Sequence, residues 1–320
     1  SPETVFIGGG TPTLLDARSL DRLLAMLGAH LDLSAVTEFT IEANPNPFCA
    51  DRAAVLQARG VNRISFGAQS FHHAELAMLQ RDHDPESVAR AMDLARAAGI
   101  SNRNLDLIFG IPGQTRESWE ASLAAALALE PEHLSCYSLI YEPNTKMTAR
   151  RDAGQVRPIN EDVELALFEH TFTRLRAAGF ERYEVSNYAR PGRACRHNLH
   201  YWLGHDYLAF GPAAAAGYHH RRWKNVQSLT HYLTALQGPT PALPLVQMEH
   251  LGAVRKAGEL IMLQLRLEEG LVYERFIAET GVDPRPRLQR IVRKYEGLGL
   301  LELEPASLRP EVLFAAEAPR

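Results

Sequence analysis

Six short runs rich in apolar or β-branched residues (5–7, 38–42, 63–66, 105–109, 134–140 and 182–185) alternate with helical stretches rich in alanine and leucine (20–31, 51–59, 73–79, 85–98, 117–129 and 162–178). This alternation restricts the fold more than any other feature, because parallel neighbouring strands need a long crossover between them, usually a helix. Three of the helical stretches stop at Arg59-Gly60, Ala98-Gly99 and Ala178-Gly179. Glycine there supplies the left-handed residue that closes a helix before the next strand. Residues 1–190 are therefore expected to form an α/β barrel or open half-barrel.

The rest of the chain reads differently. Residues 191–244 are rich in His, Tyr, Trp, Gly and Pro and show little periodicity, as expected of a connecting segment. Residues 245–320 hold helical patterns at 251–267, 273–280 and 286–297, then a short apolar run at 300–303 that reads as a strand. Three helices and a strand suggest a small winged-helix-like domain. Its mixed charges form no basic stripe, and the whole chain carries a net charge of −4, so no nucleic-acid partner is expected. No apolar run approaches the ~20 residues that span a bilayer. Cys49, Cys136 and Cys195 are odd in number and far apart, which argues against a disulfide scaffold and for a reducing cytoplasm.

In parallel α/β folds ligands sit at the carboxyl ends of the strands. Here those ends read Gly8-Gly9-Gly10-Thr11-Pro12, Glu42-Ala43-Asn44-Pro45, Ser65-Phe66-Gly67-Ala68-Gln69-Ser70, Asp106 within the fourth run, and Tyr141-Glu142-Pro143-Asn144-Thr145. Three glycines leave bare backbone that a ligand can approach closely. A carboxylate accepts hydrogen bonds from ribose hydroxyls, and an amide bridges donors and acceptors. Arg81 could hold a carboxylate in bidentate fashion. Other roles stay open for each residue: Glu42 and Asp106 as helix caps, Arg81 in a surface ion pair, Gln69 in a turn, and the glycines as plain punctuation.

Taken in order, the segments 8–12, 42–45, 63–70 and 106–115 resemble the radical S-adenosylmethionine superfamily, and within it the oxygen-independent coproporphyrinogen oxidase-like branch. The resemblance runs over nearly the whole chain. It implies an α/β fold, a partial (βα)6 barrel lacking its first strand, with the branch's small accessory domain behind it. It also implies S-adenosylmethionine as a cofactor. Gly8, Gly9, Gly10 and Thr11 would hold the methionine amino group, Glu42 the ribose, and Gln69, Arg81 and Asp106 the ribose and methionine parts.

The branch contains an oxidase that decarboxylates two propionates by radical chemistry and a chaperone that binds haem for delivery. His197-Asn198-Leu199-His200-Tyr201-Trp202 resembles the chaperone's His-Asn-x-x-Tyr-Trp signature. That resemblance implies a haem site made of His197, Asn198, Tyr201 and Trp202, with His197 as the iron ligand. It further implies haem-accepting partners, including membrane-bound ones contacted peripherally. The residue types suit the task, since imidazole is a common axial ligand and aromatic rings suit a flat apolar macrocycle. Read on their own they admit another role, with His197 and Asn198 satisfying loop backbone and Tyr201 and Trp202 filling a core. His200, His205, His219 and His220 are rival imidazoles.

The superfamily's [4Fe–4S] cluster is held by Cys-x-x-x-Cys-x-x-Cys ahead of the triple-glycine strand. Cys49, Cys136 and Cys195 match none of those positions. The expectation is therefore a piece of a longer protein, with the cluster present only in the complete chain. The polypeptide as written is expected to perform no radical cleavage, no catalytic residue is assigned, and whether the protein is an enzyme is left open.

Overall fold

The computed structural model describes residues 1–304, in two compact units. The first, Ser1–Leu199, contains β1 (Thr4–Ile7), α1 (Ala17–His30), β2 (Glu38–Ala43), α2 (Ala50–Ala58), β3 (Arg63–Gln69), α3 (His73–Met78) and α4 (Pro85–Ala97). It continues through β4 (Asn102–Phe109), α5 (Arg116–Ala128), β5 (His133–Ser138), α6 (Lys146–Asp152), α7 (Glu161–Ala177), β6 (Glu181–Glu184) and β7 (Asn187–Ala189). Helix α8 (Arg196–Leu203) runs across the boundary into the second unit.

The expected alternation is present, and the seven-stranded sheet is ordered β1-β2-β3-β4-β5-β7-β6. The first five strands are parallel and form a curled half-barrel. Helix ends follow the sequence signals. Asp16, Asp84 and Asn160 accept backbone N–H groups at the starts of α1, α4 and α7, and Thr115 with Ser118 closes a capping box on α5. Gly60, Gly99 and Gly179 all have positive φ, as helix-stopping glycines require.

The sixth strand departs from expectation. β6 forms, but β7 lies between it and β5 and runs antiparallel to both. At three residues β7 is too short for an alternating pattern to register in the sequence.

Strand alternation sorts the side chains into two populations. Phe39, Ile41, Ile64, Phe66, Leu105, Leu107 and Leu134 join a buried core with helix residues such as Leu20, Leu24, Leu56, Met92 and Leu123. Each such side chain contributes about 1.5–3 kcal/mol of burial. Trp119, also fully buried, donates its indole N–H to the Thr171 hydroxyl at 2.8 Å. The opposite face of the sheet is polar. Registers bring Glu42 beside Ser65, Ser65 beside Asn104, and Asn104 beside His133, in one row across β2 to β5.

The second unit, from His200 on, contains β8 (Ala215–Tyr218), β9 (Arg221–Asn225), α9 (Leu229–Gln237), β10 (Leu245–His250), α10 (Ala253–Gln264), α11 (Tyr273–Thr280) and α12 (Arg285–Gly297). The segment read as an aperiodic connector thus holds β8, β9 and α9, and its two strands join β10 in an antiparallel sheet ordered β10-β9-β8. The turn between β8 and β9 places His219 and His220 at φ 45° and 63°. Such turns usually carry Asn-Gly, so the hairpin left no sequence signal. The three C-terminal helices form, with Ala257 and Leu260 of α10 packed against Phe276 of α11. The strand expected at 300–303 does not form; those residues carry no strand pairing among the described residues. Residues 305–320 of the expected accessory domain lie outside the described residues. No helix among the described residues is long and apolar enough to cross a membrane.

Candidate functional site

An open cleft of about 220 Å³ lies at the carboxyl ends of β1 to β4, lined by Gly10, Thr11, Glu42, Ala43, Asn44, Ser65, Gly67, Gln69, Arg81 and Asp106. Six of the eight residues assigned from sequence to S-adenosylmethionine line this one space. Gly8 and Gly9 lie against the Glu42 carboxylate. A Cβ on Gly8 would come within 2.7 Å of the Glu42 carboxyl carbon and of the Phe6 ring, so no side chain fits there. Gly9 has φ 87° and donates its N–H to Glu42 Oε2 at 3.1 Å. A Cβ on Gly9 or Gly10 would meet nothing within 4 Å, so the loop backbone borders open space.

Glu42 caps no helix. Burial, and then the charge of Asp106, raise its carboxyl above the usual carboxylate range, while the N–H groups of Gly9 and Gly10 pull it back. Gln69 sits where the β3–β4 register shifts, with φ 64°. A non-glycine residue held there stores strain of order 1 kcal/mol, which marks the position as one where the side chain matters. Asp106 accepts from the Ser65 hydroxyl at 2.9 Å and from Asn104 Nδ2 at 2.8 Å. Ser65 and Asn44 carry no role in the sequence assignment. Polar residues at every second position (Thr40, Glu42 and Asn44, or Arg63 and Ser65) were the signal available for them.

The polar row continues inward as a line of hydrogen bonds. Asp106 accepts only, so Asn104 must turn its amide N–H groups toward Asp106 and toward Ser65 Oγ, 2.7 Å away. Asn104 Oδ1 then accepts from His133 Nδ1 at 2.6 Å, which fixes the His133 tautomer. His133 Nε2 is left to accept from the Tyr183 hydroxyl at 2.9 Å. Tyr183 accepts in turn from Asn198 Nδ2 at 3.3 Å. Burial, and then the nearby Arg63 charge, hold His133 well below the usual imidazole range, so it is neutral at pH 7. Glu38, Arg63, Asn104, His133 and Tyr183 are all buried, and none was assigned a role from sequence.

The line ends at α8, which carries the His-Asn-x-x-Tyr-Trp residues. His197 Nδ1 lies 2.8 Å from the Thr4 hydroxyl, and its ring stacks on Phe6 with centroids 5.2 Å apart. Thr4 and Glu38 open β1 and β2, so His197 and Asn198 stand at the opposite ends of the strands from the cleft. Tyr201 and Trp202 fall in the second unit. Tyr201 meets Tyr207 edge-on at 4.7 Å, and the Arg266 guanidinium lies over the Trp202 ring. The Trp202 indole N–H is buried with no partner among the described residues. Spacing of four puts His197 with Tyr201, and Asn198 with Trp202, on two adjoining stripes of one helix.

The cysteines do not form a metal centre. Cys136 and Cys195 are buried, and burial raises both thiols, Cys195 to about 12. Cys49 is partly exposed, and its hydrogen bonds with Arg52 lower its thiol. Among the described residues no group of three His, Cys, Asp or Glu side chains could hold a metal ion.

Comparison with known proteins identifies the family. The radical SAM superfamily profile matches residues 2–126, and the HemN C-terminal domain profile matches residues 256–311. The heme chaperone HemW of Mycobacterium tuberculosis (strain ATCC 25618 / H37Rv) is 38% identical over 289 residues, spanning 90% of this chain and 73% of that protein. Heme chaperone HemW of Escherichia coli (strain K12) is 39% identical over 295 residues, spanning 91% of this chain and 76% of that protein. The solved structure of coproporphyrinogen III oxidase (HemN) from Escherichia coli, a radical SAM enzyme, superposes with a TM-score of 0.79. It covers 93% of this chain and 70% of its own at 23% identity, a likeness of fold. The chain belongs to the HemW-like, coproporphyrinogen oxidase-like branch of the radical SAM superfamily.

Proposed function

We propose that this chain binds S-adenosylmethionine in the strand-end cleft and haem at α8, and that it acts as a cytoplasmic haem chaperone. The single observation that carries the reading is the placement of His197, Asn198, Tyr201 and Trp202 on one helix, in a chain 38–39% identical to heme chaperones HemW over about nine-tenths of its length.

The cleft suits a ligand with mixed charge. Glu42 and Asp106 face it with Arg81, and burial first, then the Asp106 charge, raise the Glu42 carboxyl. A sulfonium and an ammonium group would offset that charge, Arg81 would pair with the methionine carboxylate, and the bare Gly9 and Gly10 backbone would lie against the amino-acid part. Gln69 would bridge ribose or methionine groups. When bound with a cluster, S-adenosylmethionine supplies radical chemistry. The cluster ligands are not among the described residues, and no step of the proposed function passes through one.

The haem site rests on different chemistry. Tyr201 and Trp202 offer aromatic surface, and the unpaired Trp202 indole N–H is a buried donor that a porphyrin propionate would satisfy. His197 is the imidazole proposed for the iron, as a neutral ring nitrogen. Acceptors would be haem proteins, including membrane-bound ones reached peripherally. Hemin titration followed by gel filtration tests the proposal. Retained haem with a shifted Soret band, and no turnover of coproporphyrinogen III with reductant and S-adenosylmethionine by the complete, cluster-bearing protein, is the expected result. Decarboxylated product would overturn the chaperone assignment in favour of the oxidase, and loss of haem on the column would overturn the haem site.

A further inference from the structure

Helix α8 begins with only a weak cap of its own, the Cys195 sulfur that accepts from the Asn198 N–H. Cys195 precedes it, where Ser, Thr, Asp or Asn would normally accept the first backbone N–H groups. Glu38 takes that task from 158 residues upstream. Its two carboxylate oxygens accept from Arg196 N and His197 N, each at 2.9 Å, and the Cys195 thiol donates to Oε1 at 3.4 Å. The carboxylate is 4% exposed, so it meets the helix N-terminus with little screening. Arg63 shares this interior. Burial opposes its charge, but nearby acidic groups, Glu38 and Asp106 among them, more than offset that, so it stays charged.

The same turn is fixed at two further points. Asn198 Nδ2 donates to Tyr183, whose hydroxyl is already committed to His133. Thr4 Oγ1 meets His197 Nδ1 at 2.8 Å, and Phe6 stacks beneath the ring at an interplanar angle of 22°. An imidazole that ligates a metal is oriented in this way, by a hydrogen bond on the other ring nitrogen.

We propose that Glu38 and Thr4 are positioning residues of the porphyrin site: Glu38 sets the register of the first turn of α8, and Thr4 sets the ring orientation and tautomer of His197. The inference rests on the reading of His197 as the iron ligand. Neither residue touches the haem; each acts through His197. Thr4, accepting from Nδ1–H, makes Nε2 the nitrogen with the lone pair.

Hemin titrations of four proteins test this: the unaltered chain, His197→Ala, Glu38→Gln and Thr4→Val. The readouts are hemin affinity, the Soret position and the reduction potential of bound haem, with S-adenosylmethionine affinity as a check that the cleft is intact. Second-sphere changes of this kind weaken metal binding by about 10–100-fold. Glu38→Gln is expected to weaken hemin at least tenfold, because its amide N–H₂ cannot accept from the helix start. Thr4→Val keeps the shape, so it should shift the Soret band and the potential while S-adenosylmethionine binds within twofold of normal. If His197→Ala changes affinity and spectrum but Glu38→Gln and Thr4→Val do not, the positioning role is overturned and the His197 reading stands. An unchanged spectrum in His197→Ala overturns both. Should Glu38→Gln fail to fold, Thr4→Val decides alone, and an unaltered potential counts against the proposal.

Discussion

The two ends of the half-barrel solve opposite problems. At the carboxyl ends of the strands the polar groups face open space. Burial and then the Asp106 charge raise the Glu42 carboxyl, Gln69 is held at a strained φ, and the glycine loop presents bare backbone. At the other end the polar groups consume one another. Asn104, His133, Tyr183, Asn198 and Glu38 are tied donor to acceptor, and α8 is fastened over them. The contrast teaches that a strained φ and crowded carboxylates gather where the cleft opens, whereas the tied line of Asn104, His133 and Tyr183 holds the fold beneath the first turn of α8.

If that contrast is right, substitutions at the two ends have opposite signatures. The largest effect on stability belongs to His133→Leu, which strands the Tyr183 hydroxyl and takes one donor from Asn104. Buried groups left unpaired cost about 1–3 kcal/mol each, so urea unfolding should show a loss of about 2–4 kcal/mol with S-adenosylmethionine affinity little changed. A loss confined to ligand affinity would erase the distinction.

Gly8→Ala comes next and acts at the mouth. Its methyl would press on the Glu42 carboxyl and the Phe6 ring, a strain of about 1–3 kcal/mol. Calorimetric titration should show S-adenosylmethionine weakened tenfold or more. Normal affinity in the variant would show that the loop yields and does not shape the site.

Glu42→Gln sharpens the electrostatic side. Hydrogen bonds to a charged group contribute about 1.5–3 kcal/mol, so affinity should fall about 10–100-fold. The pH dependence has a definite sign. The folded carboxyl is raised, so the folded state holds its proton to a higher pH than the unfolded chain, and ionisation across that window slightly opposes folding. A cationic ligand prefers the ionised form. Affinity should therefore rise as pH climbs through the region just above the usual carboxylate range, and Glu42→Gln should flatten that rise. A flat profile in the unaltered chain would remove Glu42 from the ligand.

The smallest effect is at Gln69→Gly. Relief of the positive φ should stabilise the fold by under about 1 kcal/mol in thermal unfolding, while ligand affinity falls with the lost amide. A destabilised variant with normal affinity would make Gln69 a structural residue and weaken the contrast at its mouth end.

Much of this was legible in the amino-acid order. Apolar alternation, helix caps and glycine stops are local, so they placed five parallel strands and their helices within a few residues. The mouth was equally legible, because glycine, carboxylate and amide residues at strand ends have few other reasons to recur in order. The β8–β9 hairpin hid behind two histidines in a turn that glycine or asparagine usually fills, and β7 was too short to show a period.

The sequence by itself determined the strand–helix order and the chemistry gathered at the carboxyl ends, since both depend on spacing along a single chain. Tertiary structure alone decided that Glu38 caps a helix 158 residues away, that His133 bridges Asn104 and Tyr183, and that His197 rests on Phe6 beside Thr4. Those pairings arise where strand register and a returning helix bring distant donors and acceptors within 3 Å or so. No local pattern encodes a distance between residues that only the closed sheet makes neighbours.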